Sequence, residues 1–250
     1  MNDPLPLDGR IALVTGASRG IGYASALALA KAGAHVIAAA RTQGGLEELD
    51  DEIRAATGKS ATLTPFDLVD GGAFDRLGGA LHERFGKLDI LCHAGAMLGA
   101  LTPASHLEPR EWAKVVAINM TAPYRLIRSM EPLLRQSDAG RAIFFTSNVA
   151  DQPRAFWGAY AATKAGMEAF VQCWADELET TKVRPVLVNP GRMRTRMRAE
   201  AYPGEDPESL PEPAEIGPMI VDLANPDREP PKGVVNFRDW KAGPSLAALV

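Results

Sequence analysis

The sequence predicts an α/β protein in which helices cover both faces of one doubly wound parallel sheet of about seven strands. Short apolar runs alternate with longer helical patterns along the 250 residues, an order that favours parallel strands joined by crossover helices. A glycine-rich turn follows the first apolar run directly. No internal repeat, low-complexity tract or linker interrupts the alternation, so residues 1–250 are predicted to form a single domain.

The strands and helices follow from these patterns in chain order. Strands are predicted at residues 11–14, 35–40, 61–66, 88–92, 142–146, 183–188 and 234–237. Helices are predicted at residues 23–32, 46–57, 73–85, 108–120, 121–136, 157–179 and 215–223. Pro185 is unexpected in a central strand because it has no N–H to donate. Residues 192–213, rich in Arg, Met, Pro and Glu, are predicted to be a mobile loop with a short helix that borders the substrate.

The composition argues against several classes of protein. A net charge of −4 favours neither nucleic acid nor a membrane surface as a partner. No apolar run approaches the roughly 18 residues of a membrane span, and residues 1–10 lack the basic start and apolar centre of a signal peptide. Cys92 and Cys173 lie among apolar residues, which predicts buried thiols in a cytoplasmic protein, and the four scattered histidines predict no metal site.

The glycine-rich turn lies between a predicted strand and a predicted helix, and its glycines are Gly16, Gly20 and Gly22. In that context glycines let the chain turn tightly and let a pyrophosphate approach the N–H groups of the helix N-terminus. The turn therefore predicts a dinucleotide site of the Rossmann type. A strand-to-helix turn that merely needs positive φ is the alternative.

The end of the second strand favours NADP(H) over NAD(H). An acidic residue at this point binds the 2′-hydroxyl of the adenosine ribose, whereas a basic residue accommodates a 2′-phosphate. Here Ala40 is followed by Arg41, and no carboxylate occurs before Glu47. Arg19, inside the glycine turn, is a second base that could reach the same phosphate. The alternative is that both arginines are solvated surface charges.

A tyrosine and a lysine four residues apart, Tyr160 and Lys164, fall on one face of the helix predicted at residues 157–179. A phenol titrates near pH ~10 in water, and a nearby ammonium group lowers that value. Ser147 follows the predicted strand at residues 142–146, where its hydroxyl could bond a substrate carbonyl. Because this spacing is common on helices, the motif alone does not decide between an acid/base pair and an ordinary helix.

Taken together, these motifs resemble the tyrosine-dependent short-chain dehydrogenase/reductase family over nearly the whole chain. The matching features are Thr-Gly-x-x-x-Gly-x-Gly at residues 15–22, Asp67, Asn119, Ser147, Tyr-x-x-x-Lys at residues 160–164, and Pro190-Gly191 with Thr195. The resemblance implies that Tyr160 exchanges a proton with the substrate oxygen, Lys164 lowers the pKa of Tyr160 and binds the nicotinamide ribose, and Ser147 positions the substrate. Asn119 would hold a water that links Lys164 to solvent.

The resemblance also implies a set of cofactor contacts. The glycines would hold the pyrophosphate, Asp67 and Leu68 would flank the adenine, and Gly191 with Thr195 would meet the carboxamide. The whole implied set is Gly16, Ser18, Arg19, Gly20, Ile21, Gly22, Arg41, Asp67, Leu68, Ala94, Tyr160, Lys164, Pro190, Gly191 and Thr195. Residues 129–211 further resemble a bacterial subgroup of the family without an assigned substrate.

Two stretches depart from the family pattern. The family has Asn-Ala-Gly after the fourth strand, where this chain, aligned without a gap, has Ala94-Gly95-Ala96 preceded by His93. A shift of one residue would restore Ala94-Gly95 and put His93 in place of the Asn. The amide that ties neighbouring strands near the cofactor is therefore expected to be missing, with weaker cofactor binding. His93 would be either a catalytic base or a hydrogen-bonded structural histidine. The second departure is at residues 235–240, which replace a Val-Asp-Gly-Gly ending that packs across a subunit interface in the family.

The predicted pocket walls are apolar and suit a small ketone or alcohol with a hydrophobic body. They are Met97, Leu98, Val149, Phe156, Trp157, Met193 and Met197, of which about half are expected to touch substrate. Alternating arginines at residues 192, 194, 196 and 198 form either a solvated face or an attraction for an acidic tail such as phosphopantetheine.

Three functions follow as hypotheses. The first is an NADP(H)-dependent carbonyl reductase or alcohol dehydrogenase, the second a 3-oxoacyl-thioester reductase, and the third a cofactor-binding sensor or scaffold without turnover. The family resemblance also implies a homodimer or homotetramer paired through residues 121–136 and 157–179.

Overall fold

The described residues, 5–243 of a computed structural model, contain one sheet of seven parallel strands. The strands are β1 (Ile11–Thr15), β2 (His35–Ala40), β3 (Thr62–Pro65), β4 (Ile90–His93), β5 (Arg141–Phe145), β6 (Arg184–Asn189) and β7 (Val234–Asn236). Their order is β3-β2-β1-β4-β5-β6-β7, so the chain changes direction across the sheet between β1 and β4. Ligands bind outside the carboxyl ends of parallel strands at such a point. The predicted fold class is confirmed.

Helices connect the strands on both faces of the sheet. They are α1 (Gly20–Lys31), α2 (Gln43–Thr57), α3 (Gly71–Phe85), α4 (Pro109–Val116), α5 (Ala122–Leu134), α6 (Gly158–Glu177), α7 (Arg196–Ala201), α8 (Gly217–Ala224) and α9 (Phe237–Ala242). A π-helical turn, Ala117–Thr121, joins α4 to α5. The structure thus has the predicted helices, together with α9, which the sequence analysis did not predict.

Side chains of β1 show how the sheet separates two apolar cores. Successive residues of a strand point to opposite faces. Ala12 and Val14 pack in a core with α1, α2 and α8, whereas Leu13 packs in a second core with α3, α5 and α6. Burial on both faces explains why the strands are continuous apolar runs.

Pro185 does lie in a strand, β6, and its position explains why it is tolerated. The N–H of Arg184 donates to Gly140 on the β5 side, whereas the N–H of Leu187 donates to Gly233 on the β7 side. The nitrogen of Pro185 therefore faces the β7 side, where pairing begins only at Leu187. The missing N–H removes no ladder hydrogen bond.

One of the two cysteine predictions is wrong. Cys92 is buried in β4, but Cys173 is exposed on α6. Its neighbours Val171 and Trp174 are buried, and Cys173 lies on the solvent side of the same helix. Apolar neighbours in sequence do not predict burial on a helix, because adjacent residues point about 100° apart.

Several expectations extend beyond the described part of the chain. Residues 1–4, on which the signal-peptide expectation partly depends, and residues 244–250 lie outside the described residues. The single domain over residues 1–250 therefore stays a prediction. Within residues 5–243, every helix is too short or too polar to cross a lipid bilayer.

Candidate active site

A cleft of about 1000 Å³ opens at the carboxyl ends of β1, β2 and β4, where the chain changes direction across the sheet. It extends from Arg41 and Leu68 at one end to Tyr160 and Lys164 at the other. Every residue implied to bind the cofactor lines this cleft except Gly191. The structure thus brings together residues that lie as much as 180 positions apart in sequence.

The glycine turn between β1 and α1 requires glycine for two different reasons. Gly16 and Gly20 have φ values of 72° and 57°, in the left-handed region. A Cβ on Gly22 would lie 2.2 Å from the carbonyl oxygen of Gly16, although Gly22 has no positive φ. A turn that only needs positive φ does not account for Gly22. The close packing brings the N-terminus of α1 to the cleft, and this arrangement fits a pyrophosphate.

Two exposed arginines, Arg19 and Arg41, line the same end of the cleft. Among residues 5–243, neither has a hydrogen bond or an ion pair to another side chain. Asp67, also in the lining, turns one carboxylate oxygen to the N–H of Val69 at 3.1 Å. The two guanidinium groups are therefore available to an anion entering the cleft.

His93 ties β4 to β1, so the expected loss of a strand connection is not observed. Its Nδ1 and the hydroxyl oxygen of Thr15 are 2.6 Å apart, and both side chains are buried. Burial, with a smaller contribution from the charge of Lys164, lowers the pKa of His93 to about 3. A neutral imidazole with so low a pKa is a poor base. The structure supports the hydrogen-bonded alternative for His93.

Asn119 lies in the π-helical turn and holds the chain that follows β4. Its Oδ1 accepts from the N–H of Met97, and its Nδ2 donates to the carbonyl of Met97, both at 2.8 Å. The same Nδ2 also donates to the hydroxyl of Thr163 at 3.2 Å. Asn119 is buried and does not line the cleft. Its role in a water relay stays a prediction.

The predicted pair Tyr160 and Lys164 lies together at the start of α6, beside Ser147. The Ser147 hydroxyl acts to lower the pKa of Tyr160, but burial has the larger effect and raises that pKa to about 12. Burial lowers the pKa of Lys164 to about 8. Lys164 Nζ donates to the carbonyl of Phe145 at 2.7 Å and lies 5.8 Å from the centre of the Tyr160 ring. The pKa of Tyr160 is therefore raised, not lowered as expected from Lys164, and the group that opposes the effect of burial is Ser147.

The predicted apolar walls separate into three groups. Met97, Leu98 and Met197 line the cleft. Val149 and Trp157 pack beside Tyr160 in a small apolar cluster. Two of the predicted wall residues do not line the cleft. Met193 belongs to the core between the sheet and α1, and the Phe156 side chain is 57% exposed to solvent away from the cleft.

The alternating arginines are paired with carboxylates, and two of them, Arg192 and Arg196, remain largely exposed, as expected of a solvated face. Each lies within 4 Å of a glutamate carboxylate: Arg192 and Arg198 of Glu205, Arg194 of Glu208 and Glu212, and Arg196 of Glu200. The glutamates of residues 192–213 neutralise the arginines of the same segment. The loop arginines were the one sequence feature that favoured binding of phosphopantetheine, and their pairing with glutamates weakens that argument.

Sequence reasoning missed two residues next to the site, Thr146 and Glu168. Thr146 lines the cleft at the end of β5, and its hydroxyl donates to the Glu168 carboxylate at 2.8 Å. Glu168 is four residues after Lys164, so the spacing that joined Tyr160 and Lys164 continues by one turn. This repeated spacing of four residues was the sequence signal that could have identified Glu168.

Known proteins match this chain over most of its length. The family model described as short chain dehydrogenase matches residues 10–206. The uncharacterized oxidoreductase YciK of Escherichia coli (strain K12) is 38% identical over 223 residues, which cover 88% of this chain and 88% of that protein. The 3-oxoacyl-[acyl-carrier-protein] reductase FabG of Vibrio harveyi is 32% identical over 230 residues, 88% of this chain and 92% of that protein.

Solved structures agree with these relatives. A short chain dehydrogenase from Shigella flexneri 2a strain 301, complexed with NADP, matches with a TM-score of 0.89 and 37% sequence identity. The match covers 94% of this chain and 98% of that chain. The comparisons confirm the resemblance inferred from the motifs, including the subgroup whose substrate is unassigned.

Proposed function

Because this chain belongs to the short-chain dehydrogenase family of oxidoreductases, we propose that it interconverts a carbonyl compound and the corresponding secondary alcohol with NADP(H). The observation that carries the proposal is the position of Tyr160 and Lys164, which line the same cleft as the glycine turn. A bound nicotinamide nucleotide supplies the hydride in reduction and accepts it in oxidation.

Tyr160 acts as the proton donor in reduction. Its raised pKa, about 12, keeps the phenol protonated at neutral pH. As the carbonyl carbon gains a hydride, Tyr160 Oη gives its proton to the carbonyl oxygen, and a neutral alcohol is formed. The transfer is favourable because an alkoxide is a stronger base than a phenolate. Ser147 holds the same oxygen by a hydrogen bond.

Lys164 restores the proton to Tyr160 in this scheme. Its pKa of about 8 means that Nζ exchanges protons near neutral pH. The bond from Nζ to the carbonyl of Phe145 fixes the ammonium beside the Tyr160 ring. The proposed route to solvent passes Asn119, as it does in the family.

Arg19 and Arg41 would bind the 2′-phosphate of NADP(H). Both lack a carboxylate partner within residues 5–243, and Ala40 leaves no acid at the end of β2 to bind a 2′-hydroxyl. The NADP complex of the related Shigella flexneri protein supports this preference. Charge-assisted hydrogen bonds of this kind contribute about 1.5–3 kcal/mol each.

The test is a fluorescence titration of NADPH and NADH into wild type, Arg41→Ala and Arg238→Ala. Arg238 is an exposed arginine of α9 outside the cleft and serves as the control. We expect Arg41→Ala to weaken NADPH binding roughly tenfold or more, in line with the loss of one charge-assisted bond, and to leave NADH binding and the control unchanged. Equal affinity of wild type for both nucleotides would contradict the NADP(H) preference.

Turnover is tested by a screen of apolar ketones and aldehydes with wild type and Tyr160→Phe. We expect Tyr160→Phe to bind NADPH normally and to lose reduction, because only the proton donor is removed. If wild type binds NADPH but reduces none of these compounds, a cofactor-binding sensor or scaffold replaces the enzyme as the proposal.

A second candidate, 3-oxoacyl-thioester reduction, is favoured by the identity to the Vibrio harveyi reductase. The pairing of all four loop arginines with glutamates counts against it. Comparison of a 3-oxoacyl-pantetheine thioester with a free ketone of equal chain length distinguishes them. A much higher kcat/KM for the thioester would favour the second candidate.

We further propose a homodimer or homotetramer through α5 and α6. Tyr124 and Phe170 are exposed on these helices, with ring centres 6.0 Å apart, and Met120 is exposed beside α5. Exposed apolar groups of this size mark interaction surfaces. Sedimentation of wild type as a monomer would refute the assembly. The cytoplasmic location also stays a prediction.

A further inference from the structure

Three aromatic rings form a continuous stack from the proposed proton donor to the segment after α7. Trp157 packs against Tyr160 edge to face, with ring centres 6.0 Å apart. On its other side Trp157 packs against Tyr202, with ring centres 5.8 Å apart. We call Tyr160, Trp157 and Tyr202 the aromatic stack. Aromatic pairs at this separation favour defined relative orientations.

The backbone immediately before Trp157 is strained. Phe156 has a φ of 74°, and it is the one non-glycine residue with positive φ within residues 5–243. A bulky residue in this region is a genuine outlier, and such strain concentrates at functional positions. The carbonyl of Phe156 accepts from the N–H of Thr102 at 3.1 Å, which ties this turn to the loop after β4. The strained turn leaves the Phe156 ring exposed while Trp157 packs inward against Tyr160.

Tyr202 is held in place by charged groups on its own segment and on the Trp157 loop. The guanidinium carbon of Arg198 lies 3.7 Å from the centre of the Tyr202 ring. Glu205 binds that guanidinium with both oxygens, and each partner keeps only about a fifth of its side chain exposed. Arg154 Nη1 donates to the Tyr202 hydroxyl at 3.2 Å. The position of Tyr202 is thus fixed independently of Tyr160.

Helix α7, which ends just before Tyr202, also forms a wall of the cleft. Met197 and Glu200 of α7 line the cleft, and Met197 and Ala201 pack in the same small apolar cluster as Tyr160 and Trp157. A displacement of α7 therefore moves both the cleft wall and the ring that supports Trp157.

We propose that Trp157 is a positioning residue that couples α7 to Tyr160, so that the position of α7 in the cleft wall and the orientation of the phenol are set together. The coupling concerns the proton donor named above and so rests on the proposed function. Trp157 touches neither bound nucleotide nor the reacting atoms in this scheme; it acts through the ring of Tyr160. Evidence for coupling must be reciprocal, since each end of the stack affects the other.

The first experiment needs no turnover. Amide hydrogen exchange of the peptide spanning residues 196–202 is compared in wild type, Trp157→Ala and Trp157→Phe, with Trp240→Phe as a control. Trp240 packs on Phe237 in α9, away from the cleft. We expect about tenfold faster exchange in Trp157→Ala and near wild-type exchange in Trp157→Phe and in the control, because a second aromatic ring preserves the stack. Unchanged exchange in Trp157→Ala would overturn the coupling.

The second experiment reads the coupling from the opposite end, with Tyr202→Leu. We expect kcat for ketone reduction to fall roughly tenfold while the NADPH dissociation constant stays within about twofold, because only the phenol is misplaced. The pH profile of kcat should change as well, since a looser stack exposes Tyr160 and moves its pKa towards the ordinary value. A rise in KM with kcat and the pH profile unchanged would overturn the proposal.

The two experiments separate this inference from the proposed function. If wild type reduces no carbonyl compound, the proposed function fails, and hydrogen exchange still decides whether Trp157 couples α7 to α6. If Trp157→Ala does not fold, amide hydrogen exchange of the peptide spanning residues 158–164 is measured in Tyr202→Leu and compared with wild type. Faster exchange there supports the coupling, and unchanged exchange contradicts it.

Discussion

At one end of the cleft the backbone itself forms the walls, whereas at the other end side chains from three separate loops do. The glycine turn brings Gly16 and Gly95 so close that a Cβ on Gly16 would lie 2.7 Å from the N of Gly95. Around Tyr160 the walls are side chains from the loops after β4, β5 and β6. Backbone walls depend on a few residues that cannot change, whereas side-chain walls can adjust to many substitutions. Substitutions at the two ends of the cleft should therefore differ in the size of their effects on stability, binding and activity.

The largest effect is expected from Gly22→Ala at the glycine turn. The new Cβ would meet the carbonyl oxygen of Gly16 at 2.2 Å, and backbone cannot move aside as a side chain can. We expect a loss of about 1–3 kcal/mol in the free energy of unfolding and no measurable NADPH binding by fluorescence. Gly44→Ala in α2 is the matched control, because nothing lies within 4 Å of its added Cβ. Wild-type NADPH affinity in Gly22→Ala would contradict the backbone account.

An effect that appears only as the pH falls is expected at His93, beside the same turn. Its folded pKa, about 3, lies below the ordinary value, so the unfolded state binds the extra proton. The contribution of neutral His93 is complete above the ordinary pKa and is lost as the pH falls towards 3. Wild type should lose stability by up to about 1.4 kcal/mol per pH unit in that window relative to His93→Asn.

Urea denaturation of both proteins between pH 7 and pH 4 measures this difference. Thr15→Ser retains a hydroxyl for the bond to His93 and should follow the wild-type pH dependence. Parallel curves for wild type and His93→Asn would show that His93 is not the group responsible.

The smallest effect is expected at the side-chain end, from Glu168→Ala. Thr146 donates to Glu168, and Lys164 donates to the preceding carbonyl of Phe145, so α6 holds the end of β5 by two bonds. Loss of one neutral-to-charged hydrogen bond costs at most about 1.5–3 kcal/mol. Because the bond from Lys164 to Phe145 remains, only part of this cost should reach Ser147, and we expect kcat to fall several-fold. Glu168→Gln keeps an acceptor oxygen and should keep most of the activity in a ketone-reduction assay. An equal loss in both variants would mean that the charge of Glu168, rather than its hydrogen bond, matters.

The same contrast explains what the sequence could predict. Strands, helices and the glycine turn depend on local patterns, and the structure has them close to the predicted positions. The residues lining the cleft could be named from the family resemblance, and they lie together because parallel strands bring their carboxyl ends to one edge. His93 shows what sequence patterns cannot predict. A histidine in place of the family's amide suggested that a connection between strands was lost, but the His93 ring hydrogen-bonds Thr15 of β1.

Other features depended on tertiary contacts that no local pattern contains. The four arginines of residues 192–213 are paired by glutamates up to 18 positions away, so their number suggested a free positive charge that folding removes. The pKa of Tyr160 is raised by burial of the phenol, although the sequence suggested that Lys164 would lower it. Both surprises have one physical origin, since charge is visible in a sequence and its environment is not.

Because one of the two cysteines is buried and the other is exposed, thiol reagents should modify only the exposed one. Burial raises the pKa of the Cys92 thiol to about 12, so it carries almost no thiolate at neutral pH and no reagent can approach it. Cys173 is exposed on α6, the helix that also carries Tyr160 and Lys164. In the single chain a maleimide dye should therefore attach once, at a known position on the helix that carries the proposed proton donor, whereas pairing through α5 and α6 would protect that position.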